Sequence, residues 1–252
     1  MSLSLFERQL LGIDESALRS FGDQRLLPDA GRAFQRLAAA ASKQGFDLRI
    51  ASSYRSYDRQ LRIWNEKMCG QRSVCDDTGE RLNMVGLQDE EKLHAVLRFS
   101  ALPGASRHHW GTDVDVYDHA ALVDGYQLQL SAAEVEDGGC FSALHDWLDE
   151  RIVAGESFGF YRPYDLDRGG VARERWHLSF APLATDLAAA LEPELLRRCW
   201  RERASQRVPG VEDLSLRELV EPRLDALLER FVLRVGAPPA PAMRFELEGP
   251  SA

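Results

Sequence analysis

Three short strand-like stretches, far apart in the chain, limit the fold most. FDLRIASSY (46–54) alternates Phe46, Leu48 and Ile50 against Asp47 and Arg49; DVDVYD (113–118) alternates in the same way, and ERWHLSFAP (174–182) reads as a third strand. Between them the apolar spacing turns helical. A helix is expected over 28–44, with Phe34, Leu37, Ala38 and Ala41 on one face and Gly45 as its stop. Others are expected from a Ser56 cap to about Met68, from Asp89 to about Phe99, and over 140–156, where Phe141, Leu144, Leu148 and Ile152 align. Residues 69–87 are polar and glycine-containing and read as an inserted loop, and GFYRPYDLDRGGVA (159–172) is turn-rich. Strands this short need helices to cover them, so the pattern is a mixed one with no repeat.

The character changes after Pro182. Residues 183–203 and about 215–235 are helical and rich in Leu, Arg and Glu, with Pro209 and Gly210 between them, and the tail GAPPAPAMRFELEGPSA has the composition of a mobile segment. The expected organisation is a chemistry-bearing domain over 1–182 and a helical extension over 183–252 that packs as a cover. With 44% hydrophobic and 28% charged residues, the chain has material for a core. The formal net charge of -9 argues against a general nucleic-acid binder. No apolar run approaches the ~18–20 residues of a membrane helix, so no membrane partner is expected. Glu7, Arg8, Asp14 and Glu15 leave no basic-then-apolar signal pattern near the N-terminus. The expectation is therefore a cytoplasmic protein, periplasmic only if a leader is removed. Nothing in the sequence sets an oligomeric state. Cys69, Cys75, Cys140 and Cys199 are too few for a disulfide scaffold. Cys69 and Cys75 are close enough to bridge, although free thiols are the ordinary reading, and no CxxC spacing assigns them to a metal.

Three segments carry possible chemistry. In Ser106-Arg107-His108-His109-Trp110-Gly111-Thr112-Asp113-Val114-Asp115, a loop histidine and a strand aspartate lie seven apart with a glycine between, so a turn can converge them. Imidazole and carboxylate suit zinc, but the pair alone reads equally as a surface histidine and a turn aspartate. Glu174-Arg175-Trp176-His177 places two ligand-type residues three apart, on opposite faces of an extended strand, so a kink is needed before both address one point. In Ser53-Tyr54-Arg55-Ser56-Tyr57-Asp58-Arg59-Gln60, Arg55 stands at a strand-to-helix junction, where free amides and a guanidinium fork favour an anion; a surface arginine at a helix start is the plain alternative.

Taken together and in this order, the segments resemble the zinc D-Ala-D-Ala carboxypeptidases of the VanY and VanX type, whose fold is related to the Hedgehog signalling domain. The resemblance implies an α+β fold in which a small antiparallel sheet, flanked by helices, carries one zinc ion per chain. It implies His108, Asp115 and His177 as ligands and Glu174 as the general acid/base. Arg55 matches the arginine that binds substrate and transition state, Gln60 and Ser106 match positions holding the terminal carboxylate, and Trp176 falls within the E-x-W-H motif on the substrate side. The family usually has a small apolar residue where Asp113 stands. On the face of Asp115, Asp113 is expected either behind a ligand or pointing into the pocket, where an acidic group would suit the free ammonium of diaminopimelate. His109 and Trp110 are bulkier than the usual filling, and His109 is the remaining histidine best placed to touch substrate.

The implied substrates are peptidoglycan-derived peptides ending in D-Ala. A cytoplasmic enzyme cutting D-Ala-D-Ala would destroy the cross-linking precursor, whereas one cutting diaminopimelyl-D-Ala would trim recycled tetrapeptides. The expectation is therefore L,D-carboxypeptidase activity, with D,D-activity as the alternative. A wall endopeptidase and a non-catalytic zinc module are the other readings; the acidic charge speaks against the first and Glu174 against the second.

Overall fold

The structure, a computed structural model, describes residues 2–206 and 213–243. Helix α1 (Leu5–Leu10) leads into a hairpin of β1 (Arg19–Phe21) and β2 (Gln24–Leu26), followed by α2 (Pro28–Ser42). The central sheet has four antiparallel strands in the order β3 (Leu48–Ser52), β4 (Asp113–Asp118), β6 (His177–Phe180), β5 (Phe160–Tyr161). Helices α3 (Tyr57–Met68) and α4 (Asp89–Leu97) lie between β3 and β4, and α5 (Ala132–Val135) and α6 (Ser142–Ala154) between β4 and β5. Helices α7 (Ala181–Ala189) and α8 (Pro193–Gln206) follow the sheet, and short helical turns run from Arg217 to Leu233.

Strand alternation divides the sheet cleanly. Val114, Val116, Leu178 and Phe180 turn to one side and pack with Phe34 and Leu37 of α2 and Leu144 and Leu148 of α6. The intervening residues Asp113, Asp115, His177 and Ser179 share the other side, and all four are buried. A polar face buried in a sheet must find partners within the protein, and this is where the chemistry concentrates.

The helix expectations before residue 182 hold with small shifts at their ends; the expected helix over 183–203 is broken at 190–192, ahead of Pro193, and that over 215–235 is a run of short helical turns. Ser56 caps α3, its hydroxyl accepting from the Arg59 amide. The third strand is shorter than expected. It begins at His177, and Glu174 precedes it on a turn closed by the His177 amide donating to the Glu174 carbonyl at 3.1 Å. The helix after it begins at Ala181, because Pro182 fits the first turn of a helix, where its missing N–H costs nothing. The hairpin at 19–26 and the two-residue strand β5 were not expected; both are too short for a period to show. The loop 69–87 is packed down by Val74 and Met84, which join the core of α3 and α4. All four cysteines are free, so Cys69 and Cys75 are not bridged.

The segment after residue 182 is more than an outer cover. Leu195, Leu196, Cys199 and Trp200 of α8 lie in one apolar cluster with Leu10, Tyr57, Leu61, Trp64, Leu93 and Leu97, and so do Leu224, Leu227, Leu228 and Phe231. The indole N–H of Trp64 donates to the Ser215 carbonyl and that of Trp200 to the Pro103 carbonyl. The linker carrying Pro209 and Gly210 lies outside the described residues, as does the tail from residue 244; the start of the expected mobile tail, 236–243, is instead packed down, with the Gly236 amide donating to the Pro163 carbonyl at 2.7 Å and Ala242 buried beside Tyr161 and Ala181.

Two outcomes follow from this shared core. Deleting residues 183–252 should leave an insoluble or unfolded chain. Trp200→Ala alone should cost ~3–5 kcal/mol, read by urea unfolding with circular dichroism. A loss under about 1 kcal/mol would show α8 to be peripheral.

Candidate metal centre

The site is assembled by sheet register and two turns. Asp115 of β4 stands directly opposite His177 of β6, and Asp113 opposite Ser179. His177 therefore has one carboxylate directly across from it and another on the diagonal, both within side-chain reach. Its Nδ1 lies 3.0 Å from Asp115 Oδ1 and its Nε2 2.9 Å from Asp113 Oδ2. His108 arrives from the short helical turn Arg107–Trp110, which ends at Gly111 in the left-handed conformation with φ 69°. A side chain at Gly111 would also meet Leu18 at 2.5 Å and the Leu27 amide nitrogen at 3.2 Å. Only glycine fits this reversal, and the reversal brings His108 Nε2 to 3.3 Å from Asp115 Oδ2.

His108, Asp115 and His177 each offer an atom within 4.8 Å of the others. The hydrogen bonds around them set which atoms are free. His108 Nδ1 donates to the Ser53 carbonyl at 2.9 Å, leaving the Nε2 lone pair directed at Asp115. His177 Nε2 is taken by Asp113, leaving Nδ1 as the inward atom, 3.9 Å from Glu174 Oε2. Metal-bound histidines characteristically donate their second ring nitrogen to a carbonyl or carboxylate in this way. Two imidazoles and one carboxylate, all buried and all oriented from behind, fit a zinc ion with a coordination position left open.

Asp113 is therefore a supporting residue and not a pocket lining. It is fully buried and accepts from Arg107 Nε at 2.7 Å, from Thr112 Oγ1 at 2.7 Å and from Ser179 Oγ at 2.9 Å, besides His177. The expectation that it might meet a substrate ammonium is corrected: no face of the carboxylate is left for one. Burial opposes its charge, but the Arg107 guanidinium and the His177 bond outweigh this and hold its pKa far below the usual carboxylate range. Burial likewise opposes an imidazolium at His177, yet the two carboxylates raise its pKa to about 9.

Glu174 is buried at the edge of the triad. Burial raises its pKa to about 7 and Asp115 adds to this, against the attraction of His177, Lys67 and Arg55. The turn at 174–177 is the kink that the three-residue spacing required, and the Glu174 amide donating to the Tyr164 carbonyl at 3.0 Å pins its start.

Arg55 stands on the opposite wall. Its Nη1 donates to Gln60 Oε1 at 2.9 Å and its Nη2 to Ser52 Oγ at 3.3 Å. Gln60 is fully buried and donates in turn to the Ala101 carbonyl at 2.7 Å, so it acts behind Arg55 and does not offer its amide to a ligand. Ser106 is buried immediately before the turn that carries His108. Trp176 packs with Val135 and Phe141, and its ring serves that cluster.

His109 is also corrected. Burial lowers its pKa to about 3, and its Nδ1 donates to the Arg55 carbonyl at 2.6 Å while its Nε2 accepts from the Gly104 amide. It braces the Arg55 backbone and cannot reach a substrate. Sequence reasoning missed Tyr164, whose ring meets His177 edge-on at 4.9 Å, because it sits in a turn-rich stretch without periodicity.

Residues 23–183 match the D-alanyl-D-alanine carboxypeptidase (VanY) family. The chain is 39% identical over 102 residues to a Haemophilus influenzae protein without assigned function, covering 40% of this chain and 76% of that one. A second such protein of the same organism is 48% identical over 77 residues, covering 31% of this chain and 53% of that one. Among solved structures, a zinc-bound variant of the vancomycin-resistance D,D-pentapeptidase VanY is 24% identical with a TM-score of 0.47, over 68% of this chain and 82% of that one.

Two measurements test the centre. Asp113→Asn should weaken zinc binding about 10–100-fold without unfolding the chain; an unchanged affinity would remove Asp113 from the site. Zinc must also displace the proton that the carboxylates hold on His177, so affinity should rise by up to about tenfold per pH unit from pH 6 to 8. Competition with a chelator reads this, and a flat profile would contradict the His177 assignment. On the residues matched, the chain belongs to the VanY family of D-alanyl-D-alanine carboxypeptidases.

Proposed function

We propose that this protein is a zinc-dependent carboxypeptidase that removes the terminal D-alanine from peptidoglycan stem peptides, acting as an L,D-carboxypeptidase on tetrapeptides. One observation carries the exopeptidase reading. Beside the ligand triad and Glu174 stands Arg55, half-buried, fixed by neutral partners, and without a carboxylate in ion-pair range among the described residues. A guanidinium held this way gains most from a planar anion, and a peptide terminus supplies one.

The residues divide the work. Arg55, aimed by Gln60 and Ser52, takes the terminal carboxylate and so sets which peptide bond lies at the triad. His108, Asp115 and His177 hold zinc, which when bound supplies Lewis acidity and makes water acidic enough to serve as a nucleophile near neutral pH. Glu174, with a pKa near the operating range, accepts the proton of the attacking water and passes it to the nitrogen of the departing D-alanine. The buried surroundings of Glu174 strengthen these interactions by excluding solvent.

The L,D choice suits recycled tetrapeptides inside the cell, where cleavage of D-Ala-D-Ala would consume the cross-linking precursor. D,D-activity on pentapeptides is the second reading, favoured by the family to which residues 23–183 belong. Among the described residues no helix is long and apolar enough to cross a membrane.

Glu174→Ala should retain zinc yet lose about 10²–10⁴-fold in kcat; a variant within threefold of wild type would remove Glu174 from proton transfer. Arg55→Lys should be strongly impaired, and peptides amidated at the C-terminus should be cut about 100-fold less well, the loss of one charged contact at ~1.4 kcal/mol per decade. Equal cleavage of acid and amide would indicate an endopeptidase with an open groove. The tetrapeptide ending in diaminopimelyl-D-Ala should be cut faster than the pentapeptide ending in D-Ala-D-Ala; the reverse order would establish the D,D reading.

A further inference from the structure

Lys67 is a second cation in this region that the mechanism above leaves unused. It lies on α3 seven residues after Gln60, hence on the same helix face. Its Nζ donates to Ser100 Oγ at 2.7 Å, while Gln60 donates to the carbonyl of the next residue, Ala101. Lys67 and Gln60, the residue that holds Arg55, are thus anchored on adjacent residues of one segment, which keeps the two cations on the same side of α3. Its ammonium is attracted by Glu174 and repelled by Arg55 and Arg72.

Lys67 is also set apart by what it lacks. The shielded cations Arg98, Arg107, Arg162 and Arg175 each have a carboxylate in ion-pair range. Lys67 is half-buried and, among the described residues, has none; Ser100 aims the ammonium but cannot neutralise it. Burial, with Arg55 and Arg72 adding repulsion, pulls its pKa down to about 8. An ammonium kept in this setting gains strongly from an arriving anion, because its own desolvation has already been incurred.

The substrate's terminal carboxylate is assigned to Arg55, so the second cation calls for a second carboxylate close to the bond that Glu174 serves. The nearest position is the side chain of the residue carrying the scissile carbonyl. Diaminopimelate has a carboxylate there; alanine, lysine and side-chain-amidated diaminopimelate do not. We propose that Lys67 is a specificity-determining residue that pairs with the side-chain carboxylate of the residue preceding the cleaved bond, so that the enzyme selects diaminopimelate with that carboxylate free. This rests on the L,D reading given above.

The test uses zinc-loaded full-length protein and two synthetic tetrapeptides ending in diaminopimelyl-D-Ala, identical except that the diaminopimelate side chain carries a free carboxylate in one and a carboxamide in the other. Wild type should prefer the free acid by about 10- to 100-fold in kcat/KM, the range for one charged hydrogen bond. In Lys67→Met the ratio should collapse to within about threefold of unity, and in Lys67→Arg most of it should persist. Zinc content and thermal unfolding confirm that each variant is intact, and the wild-type ratio itself needs no variant. Equal rates for wild type on the two peptides would overturn the proposal. So would a Lys67→Met variant that slows both equally, which would mean that Lys67 shares the terminal carboxylate with Arg55. Release of D-alanine from neither tetrapeptide would instead refute the L,D reading and this inference with it, whereas turnover of both without preference refutes the role of Lys67 alone.

Discussion

The register between two strands is the constraint on which the site depends. Asp115 and His177 are cross-strand partners in an antiparallel pair, so their side chains must leave the sheet on the same face within a few ångströms of each other. A slip of one residue would turn one strand's polar side chains onto the apolar face packed against α2 and α6. The alternation that buries Val114, Val116, Leu178 and Phe180 therefore also fixes the geometry of the ligands. Core packing and metal placement are two consequences of one pairing.

A buried site with two aspartates and two histidines, three of them on the sheet and His108 on the adjoining turn, is unstable unless its charges are met. Arg107 meets part of this need, held between Asp113, Ser179 and Tyr161 and stacked over Trp110. Its partner Asp113 then orients His177, so one buried ion pair reaches the ligand through a single intermediate. The half-buried cations Arg55 and Lys67 follow the opposite rule. Arg55 and Lys67 are positioned by neutral groups and retain an uncompensated charge. The aspartates and histidines are thus satisfied by one another and by Arg107, whereas the two cations keep their charge unpaired among the described residues.

Much of this was legible in the sequence because it has local causes. The β4 alternation, the Ser56 cap and the Gly111 reversal are each written within ten residues, and the resemblance named the ligands, which the structure brings together. The three-residue spacing of Glu174 and His177 demanded a kink, and a turn supplies it. What was not legible depends on contacts between remote segments. A motif records that Gln60 matters and not whether it acts directly; its bonds to Arg55 and Ala101 place it behind Arg55. Asp113 could be placed on a face from sequence, but its saturation by Arg107, Thr112 and Ser179 required the fold. The helices after residue 182 looked separable because their composition changes, yet their Leu and Trp residues complete the core of α3 and α4, a tertiary match that periodicity does not record.

The proposed chemistry requires a single zinc centre at His108, Asp115 and His177, with Glu174 beside it. Anomalous diffraction at the zinc absorption edge, from crystals of the zinc-loaded protein, tests it most directly. One strong peak is expected among His108 Nε2, His177 Nδ1 and the Asp115 carboxylate, with Glu174 alongside and not among the ligands. A principal peak at any other group of residues, or a triad without a peak in zinc-replete crystals, would contradict it.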